Sequence, residues 1–488
     1  MEMINKDQTD VVLNYDEEIF AGYSAELKPK TAAERTWGIG KFATLWMGSI
    51  HNILSYMTVA GFFLLGLNSK QVIIAVMTSA AIVSALYVIN GLASAKYGFP
   101  FTMQLRAIFG EKGAIVPALA RGLIKGAVFF GTQTVISAQA FDVIFKRLYP
   151  AFDQIGGGAT IFGLPIYTAI SFVLVWLVTI ALFLAGKNVL DKLGSWSSPI
   201  VYIFIVGAAI WAINIAGGFG NVYNFVPDNP KFSIPLFIAC VSALVSNWAG
   251  PIVNIGDFTQ KAKDKKAMII GLPLGFMMSY VLFAVTCVSL IAGTKIAFNS
   301  SIFNIVDAID KIQNPLAVIV LILALNLGSL SLVVFGNMLP AGLQLEALFP
   351  KKLTVASGAI ITAICGTVIM PWKLVANQGS LYYFYSFIGS MFGPILGIML
   401  ADYLIKRRGV FNLKEMYQPT IDASYTGVNL KPTLVLIFSF GIAMAGSIFQ
   451  EVAFLKEINK FAFFSGLIIS FVVYGVICLV DKEGKGQV

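Results

Sequence analysis

Apolar stretches of about 20 residues, the length a helix needs to cross a bilayer, follow one another along nearly all of the chain's 488 residues. They predict spans near 42–66, 71–95, 116–143, 160–186, 196–217, 234–256, 267–293, 314–340, 353–371, 380–405, 433–450 and 459–480. Hydrophobic residues make up 57% of the sequence, which is material for roughly a dozen such helices with their interfaces. Charged residues make up only 12%, against ~25% in a soluble domain, so the excess cannot be hidden in globular cores. The runs are continuous and do not alternate, which excludes a β-barrel. The expected fold is an all-α polytopic membrane protein with about 12 transmembrane helices.

The same sequence leaves little for an enzyme to work with. Its one histidine is His51, and its four cysteines, Cys240, Cys287, Cys365 and Cys478, each sit inside an apolar run. They suggest no zinc site, catalytic triad or disulfide framework, so neither an enzyme nor a bound cofactor is expected. Residues 1–40 are polar without a signal-peptide pattern, which makes the first span an uncleaved helix. With that tail inside, seventeen Lys and Arg fall in the short cytoplasmic loops, among them Lys96, Arg106, Arg121, Lys261, Lys263, Lys351, Arg407 and Arg408, against nine in the outer loops. This asymmetry places both termini in the cytoplasm. It also accounts for the net charge of +9 without any nucleic-acid partner. The expected organisation is a cytoplasmic tail (1–40), a ten-helix transport core (41–405), a cytoplasmic loop (406–432), two further transmembrane helices (433–480) and a short cytoplasmic tail (481–488). The partners are membrane lipid and a small molecule, and the oligomeric state is open, a monomer being compatible with the sequence.

Two spans carry residues that a lipid-embedded helix does not need. Trp46-Met47-Gly48-Ser49-Ile50-His51-Asn52 places small and polar groups in mid-helix, and Ser246-Asn247-Trp248-Ala249-Gly250-Pro251 contains a Gly-Pro pair that invites unwinding. The two positions correspond if the chain is two five-helix halves, spans 1–5 and 6–10. Paired interruptions of that kind point to a midplane binding site, although each alone reads as an ordinary kink. In the third span Phe129 and Gln133 are four residues apart and share one face. With Trp248, Asn247 and Asn52 they suit a flat heterocycle, its ring stacked between aromatic faces and its edge read by amides. Asp142, Asp257, Glu346, Asp402 and Glu451 all fall near span ends, and Lys125 is expected to snorkel to the cytoplasmic interface. A charged solute would need a counter-charge inside, so the expected solute is neutral. His51 could carry a coupled proton, or it could be a packing residue whose carbonyl matters more than its ring.

Further motifs carry a family resemblance. Tyr97-Gly98-Phe99-Pro100-Phe101-Thr102, Arg106, Phe109-Gly110-Glu111-Lys112-Gly113-Ala114 and Pro117 are similar to the second-to-third-helix signature of the nucleobase:cation symporter-1 family. Phe130-Gly131-Thr132-Gln133-Thr134, Asn254-Ile255-Gly256-Asp257-Phe258-Thr259, Met370-Pro371-Trp372 and the run from Gly393 to Arg408 extend the resemblance over roughly residues 37–430. It implies a five-plus-five inverted repeat (LeuT-like) with two extra C-terminal helices. It also implies import of a nucleobase, hydantoin or allantoin with Na⁺ or H⁺ by alternating access. Carried over residue by residue, it makes Phe129, Gln133, Trp248, Asn247, Asn52 and Asn337 the substrate-binding set. Phe129 then stands where the family's hydantoin transporter has tryptophan, Asn247 where it has glycine, and Asn52 where it has glutamine. In helix 8, anchoring on Pro340 puts the substrate asparagine's position at Gly336, whereas anchoring on Pro350 puts it at Asn337. Asn337 is chosen, with a one-residue insertion after it. The carbonyls of Gly48 and His51 with the Ser331 hydroxyl are the implied Na⁺ ligands. A passive channel or a substrate-sensing receptor with the same fold is the alternative function.

Overall fold

The computed structural model describes residues 12, 17–20, 23, 25–299, 304–349, 352–417 and 427–485. Part of the expected 1–40 tail, Lys351, the middle of the 406–432 loop and the last three residues lie outside the described residues. Every predicted span coincides with a helix. The first is in three pieces, α1 (Ile39–Thr44), α2 (Met47–Ile50) and α3 (Ile53–Leu64). Then come α4 (Ser69–Tyr97), the shorter α5 (Phe101–Phe109), α6 (Ile115–Leu148), α7 (Ile166–Leu184) and α8 (Lys187–Ile215). The second half holds α9 (Ile234–Val253), the short α10 (Gly256–Thr259), α11 (Lys265–Phe298), α12 (Pro315–Leu348), α13 (Val355–Val368) and α14 (Gln378–Lys406). Two more, α15 (Leu430–Ile448) and α16 (Ala462–Lys485), close the chain. Among the described residues nine helices are long and apolar enough to cross a membrane. Shorter apolar helices at Ile53–Leu64, Pro199–Ile215 and Val355–Val368 fall in the remaining predicted spans.

Two groups of helices flank the broken first span. On one side α9 packs on α4 and α14, α11 packs on α4, and α16 lies along α14. On the other, α6 packs against α7, α12 and α13. The pieces of the first span lie between them, α1 on α11 and α2 on α8, α11 and α12. At the head of the fourth span the structure departs from expectation. Residues 160–165 form a small antiparallel hairpin (Thr160–Ile161 with Leu164–Pro165), and the helix begins only at Ile166. The turn needs left-handed backbone at Phe162 and Gly163, which ends any helical reading of that stretch. The Met370-Pro371-Trp372 motif finds its use here, because Trp372 Nε1 donates to the Phe162 carbonyl at 3.0 Å.

Candidate functional site

The first interruption falls where the sequence places it. Helix α2 ends at Ile50, His51 is non-helical (φ −82°, ψ 71°), and Asn52 is extended and caps α3 by accepting from the Ser55 N–H at 3.0 Å. The Asn52 amide nitrogen donates to the Ser49 carbonyl (2.8 Å) and the Ser55 hydroxyl (2.9 Å), holding both sides of the gap. The second interruption falls three residues later than expected. Gly250-Pro251 stays inside α9, and the chain leaves the helix at Asn254 (φ −98°, ψ 22°) before α10 resumes. Pro251 is tolerated because a proline costs its helix only one donor where a neighbour supplies another. The carbonyls exposed at the true break are taken by α4, where the Asn90 amide donates to Ile252 (2.8 Å) and Val253 (2.9 Å).

These interruptions bring three of the expected substrate residues, Gln133, Asn52 and Asn247, into one hydrogen-bonded set. Gln133 Nε2 donates to Asn52 Oδ1 at 3.2 Å, and Asn247 Nδ2 donates to Ser55 Oγ at 3.0 Å, so α6, α3 and α9 meet through Asn52 and Ser55. Gln133 Oε1 is buried with no partner. Beside this network lies a narrow cavity, with room in this conformation for about one water (about 10 Å³), lined by Lys125, Phe129, Asn247, Trp248, Pro251, Leu332 and Asn337. Trp248 is fixed edge-on to Trp46 and Phe276, and its indole N–H donates to the Tyr280 hydroxyl. Asn337, not Gly336, reaches the cavity. It lies in a π-helical turn spanning Leu332–Met338, and such a turn absorbs an extra residue without shifting the rest of the helix. Gly336 contributes its carbonyl to Arg121 instead.

Of the three residues assigned to Na⁺, Gly48 and His51 turn their carbonyls toward α12, the helix that carries Ser331. Gly328 on α12 sits so close to the first interruption that a Cβ there would stand 2.5 Å from the His51 carbonyl oxygen and 3.3 Å from that of Gly48. Ser331 is buried one turn further along the same helix. The His51 ring turns the other way, with Nδ1 2.9 Å from the Tyr56 hydroxyl and its face against the edge of Tyr202. Among the described residues no group of three or more His, Cys, Asp and Glu side chains gathers as a metal site.

Larger recesses approach the site from both ends. One, with about 970 Å³ of empty space, opens beside the Thr160–Pro165 hairpin and has Met57, Gln139, Asp142 and Asp307 among its lining. Met57 and Gln139 lie five and six residues beyond Asn52 and Gln133, about 7–9 Å along their helices. The other, about 370 Å³, lies between Glu26, Thr102, Asp257, Gln344 and Glu346. Neither recess shares a lining residue with the central cavity.

A fold of interrupted helices around a narrow cavity has clear counterparts. Residues 29–476 match the family model described as permease for cytosine/purines, uracil, thiamine, allantoin. The chain belongs to this permease family. It is 36% identical over 475 residues to the putative allantoin permease of Escherichia coli (strain K12), covering 95% of this chain and 97% of that one. It is 32% identical over 463 residues to the allantoin permease of Bacillus subtilis (strain 168), covering 94% of each. The fold matches Mhp1, a nucleobase-cation-symport-1 family transporter solved in a closed conformation with bromovinylhydantoin bound (TM-score 0.76, 22% identity, 94% of this chain and 96% of that one). A Na⁺-coupled sialic acid symporter is a more distant match in fold (TM-score 0.56, 13% identity, 94% and 92%).

In this permease two cations lie where sequence reasoning put none. Arg121 is fully buried in α6 and does not belong to a cytoplasmic loop, and Lys125, 1% exposed, does not snorkel. The segment from Ala120 to Lys125 is a π-helical turn that directs both inward. Arg121 donates to Asn254 Oδ1 (3.0 Å) and to the Gly336 carbonyl (2.9 Å). Lys125 Nζ lies 3.5 Å from the Asn247 carbonyl and 3.8 Å from the centroid of the Phe129 ring. Both carbonyls are ones that a proline four residues on, Pro340 and Pro251, cannot satisfy. That spacing was the available signal. The expectation that Lys125 snorkels is therefore corrected: its side chain forms part of the cavity wall. The aromatic sandwich also changes, since one face of Phe129 already meets an ammonium and its ring neighbour is Phe384.

Proposed function

We propose that the permease is a secondary active symporter of the cytoplasmic membrane, with both termini inside, that imports a small neutral nitrogen heterocycle of the nucleobase, hydantoin or allantoin kind. The observation carrying this reading is the cavity itself. Phe129, Trp248, Asn247 and Asn337 line it, the Gln133–Asn52 pair lies alongside, and the first interrupted helix and the helix that carries Pro251 both meet there. In this reading the aromatic side chains bound the ring's faces, and the amides exchange hydrogen bonds with its N–H and C=O edge. The unpartnered Gln133 oxygen is a buried acceptor for a ring N–H. The allantoin permeases among its relatives and the hydantoin derivative bound to Mhp1 support the substrate class.

The transport cycle in this reading is alternating access, and a central cavity that shares no lining residue with either recess supports it. The helices around the interruptions rock so that each recess in turn reaches the site. Na⁺ is the proposed coupling ion, held by the Gly48 and His51 carbonyls and the Ser331 hydroxyl, with H⁺ the alternative. The close approach of Gly328 to those carbonyls supports that placement. The test is the thermal stability of the purified protein against hydantoins, allantoin, uracil, cytosine and purines, each with and without Na⁺. Ligands that bind the folded state raise its apparent melting temperature by mass action. A shift from one heterocycle, larger in sodium, is expected. No shift from any of them under either condition would overturn the substrate reading.

A further inference from the structure

Gln344, near the inner end of α12, is a buried amide that the fold does not use. It is 1% exposed, and neither its oxygen nor its nitrogen has a hydrogen-bond partner among the described residues. A primary amide carries two donors and an acceptor, and burying them unpaired is costly. The fold nevertheless makes room for this side chain. A Cβ at Gly122 on α6 would stand 3.1 Å from the Gln344 Cβ and 3.2 Å from its Oε1.

Gln344 lines the inner recess, which lies between α5, α10, α12 and the tail residues Glu26 and Leu27. Gln260, 5% exposed, lines it as well. Its Nε2 is spent on the Asp257 carbonyl at 2.9 Å, while its Oε1 is buried without a partner. The Asp257 carboxylate already accepts from the Asn254 amide and the Phe101 N–H, both at 2.9 Å. Glu26, Asp257 and Glu346 do not gather as a metal site, and their charge disfavours an anion. What stays open is a donor-and-acceptor amide beside a further acceptor, the complement of a neutral ring that carries an –NH–C(=O)– edge and a second N–H.

Position ties this recess to the central cavity. Gln344 follows Asn337 by seven residues, which is two turns along the same face of α12 and about 10 Å further in. A ring leaving the central amides gives up its hydrogen bonds there, and Gln344 and Gln260 offer replacements. The recess is narrow in this conformation, so it admits a ring only as α10 and α12 part on inward opening.

We infer that Gln344 and Gln260 form a second, cytoplasmic-side binding site, through which the neutral heterocycle passes on release. The Gln344 amide pairs with the lactam edge through two hydrogen bonds, and Gln260 Oε1 accepts from the second ring N–H. This inference rests on the proposed substrate class and adds a site to it.

The experiment is substrate protection of a cysteine placed in the recess. Glu346→Cys in the purified full-length protein is labelled with N-ethylmaleimide, with the unsubstituted chain as blank and allantoin, uracil and hydantoin as probes. Gln133→Ala is added to disable the central site, so that protection reports the recess alone. At least one probe should still slow the labelling in that background. Gln344→Leu should then raise its half-protecting concentration about fivefold or more, as two lost hydrogen bonds require. The same substitution should not lower the melting temperature, because it removes no bond within the protein. The inference is overturned by absence of protection in the Gln133→Ala background, by an unchanged half-protecting concentration in Gln344→Leu, or by a melting temperature lowered several degrees. A thermal shift of the wild type by any heterocycle then leaves the substrate reading standing. If none of the probes and none of the wider panel shifts the wild type, both fall together.

Discussion

Replacing Gly328 with alanine tests the crossing between the first interrupted helix and α12. The added Cβ would stand 2.5 Å from the His51 carbonyl oxygen. A carbon and a carbonyl oxygen ordinarily meet at about 3.3–3.6 Å, so the His51 peptide must retreat by roughly 0.8 Å. It is backbone, and its neighbour Asn52 is tied to Gln133 and Ser55, so the displacement passes into the site. Overpacking of this size costs ~1–3 kcal/mol. At 1.4 kcal/mol per factor of ten, that raises the sodium half-saturation or the substrate Kd about 5- to 150-fold. Gly207 on α8 is the control, because nothing lies within 4 Å of a Cβ there and Gly207→Ala should be neutral or slightly stabilising. The assay is uptake of the identified heterocycle into proteoliposomes at graded sodium, with the melting temperature measured in parallel. Sodium dependence, substrate affinity and melting temperature all within twofold or one degree of wild type in Gly328→Ala would refute the placement of the His51 carbonyl.

Three other outcomes are expected. Asn90→Ala strands the Ile252 and Val253 carbonyls at the end of α9, at about 1–3 kcal/mol for a buried group left unpaired. It should lower the melting temperature by several degrees, whereas an unchanged transition would mean that water replaces the amide without loss. Gln133→Ala should abolish uptake at normal expression and leave the fold intact, because Asn52 keeps its bonds to Ser49 and Ser55; transport at wild-type rate removes Gln133 from the site. Ser331→Ala should weaken the apparent affinity for sodium several-fold with little effect on substrate binding at saturating salt, and an unaltered sodium titration excludes the hydroxyl as a ligand.

The architecture was legible because the bilayer makes it so. A helix in hydrocarbon must be long and apolar, and each predicted span coincides with a helix, to within a few residues at most ends. The misplaced ends have local causes, such as the hairpin at 160–165, where two left-handed residues replace the first turn of a helix. Of the site, what could be read was polarity out of place. Asn52, Gln133 and Asn247 stood out as amides in lipid-length helices, and they form one hydrogen-bonded set. The break near Gly250-Pro251 was misplaced because proline marks a missing donor and not by itself an unwound segment. The helix unwinds at Asn254, where two residues remote in sequence act: Asn90 takes up the freed carbonyls and Arg121 holds the Asn254 side chain.

Proline in such a chain carries more information than a kink. Because it lacks an N–H, it leaves the carbonyl four residues earlier without its usual partner, and in hydrocarbon that carbonyl needs a donor from another helix. Pro251 and Pro340 leave Asn247 and Gly336 in that condition, and Lys125 and Arg121, one turn apart on α6, take both. The two pairs tie α6 to α9 and to α12 at the level of the cavity. A movement that opens the site by separating these helices must therefore break contacts made by buried cations, and at the Lys125 contact the 3.5 Å separation leaves little to break. Arg121 is the stronger tether, with two bonds at 2.9–3.0 Å, so it anchors the crossing more firmly than the single long contact of Lys125 does.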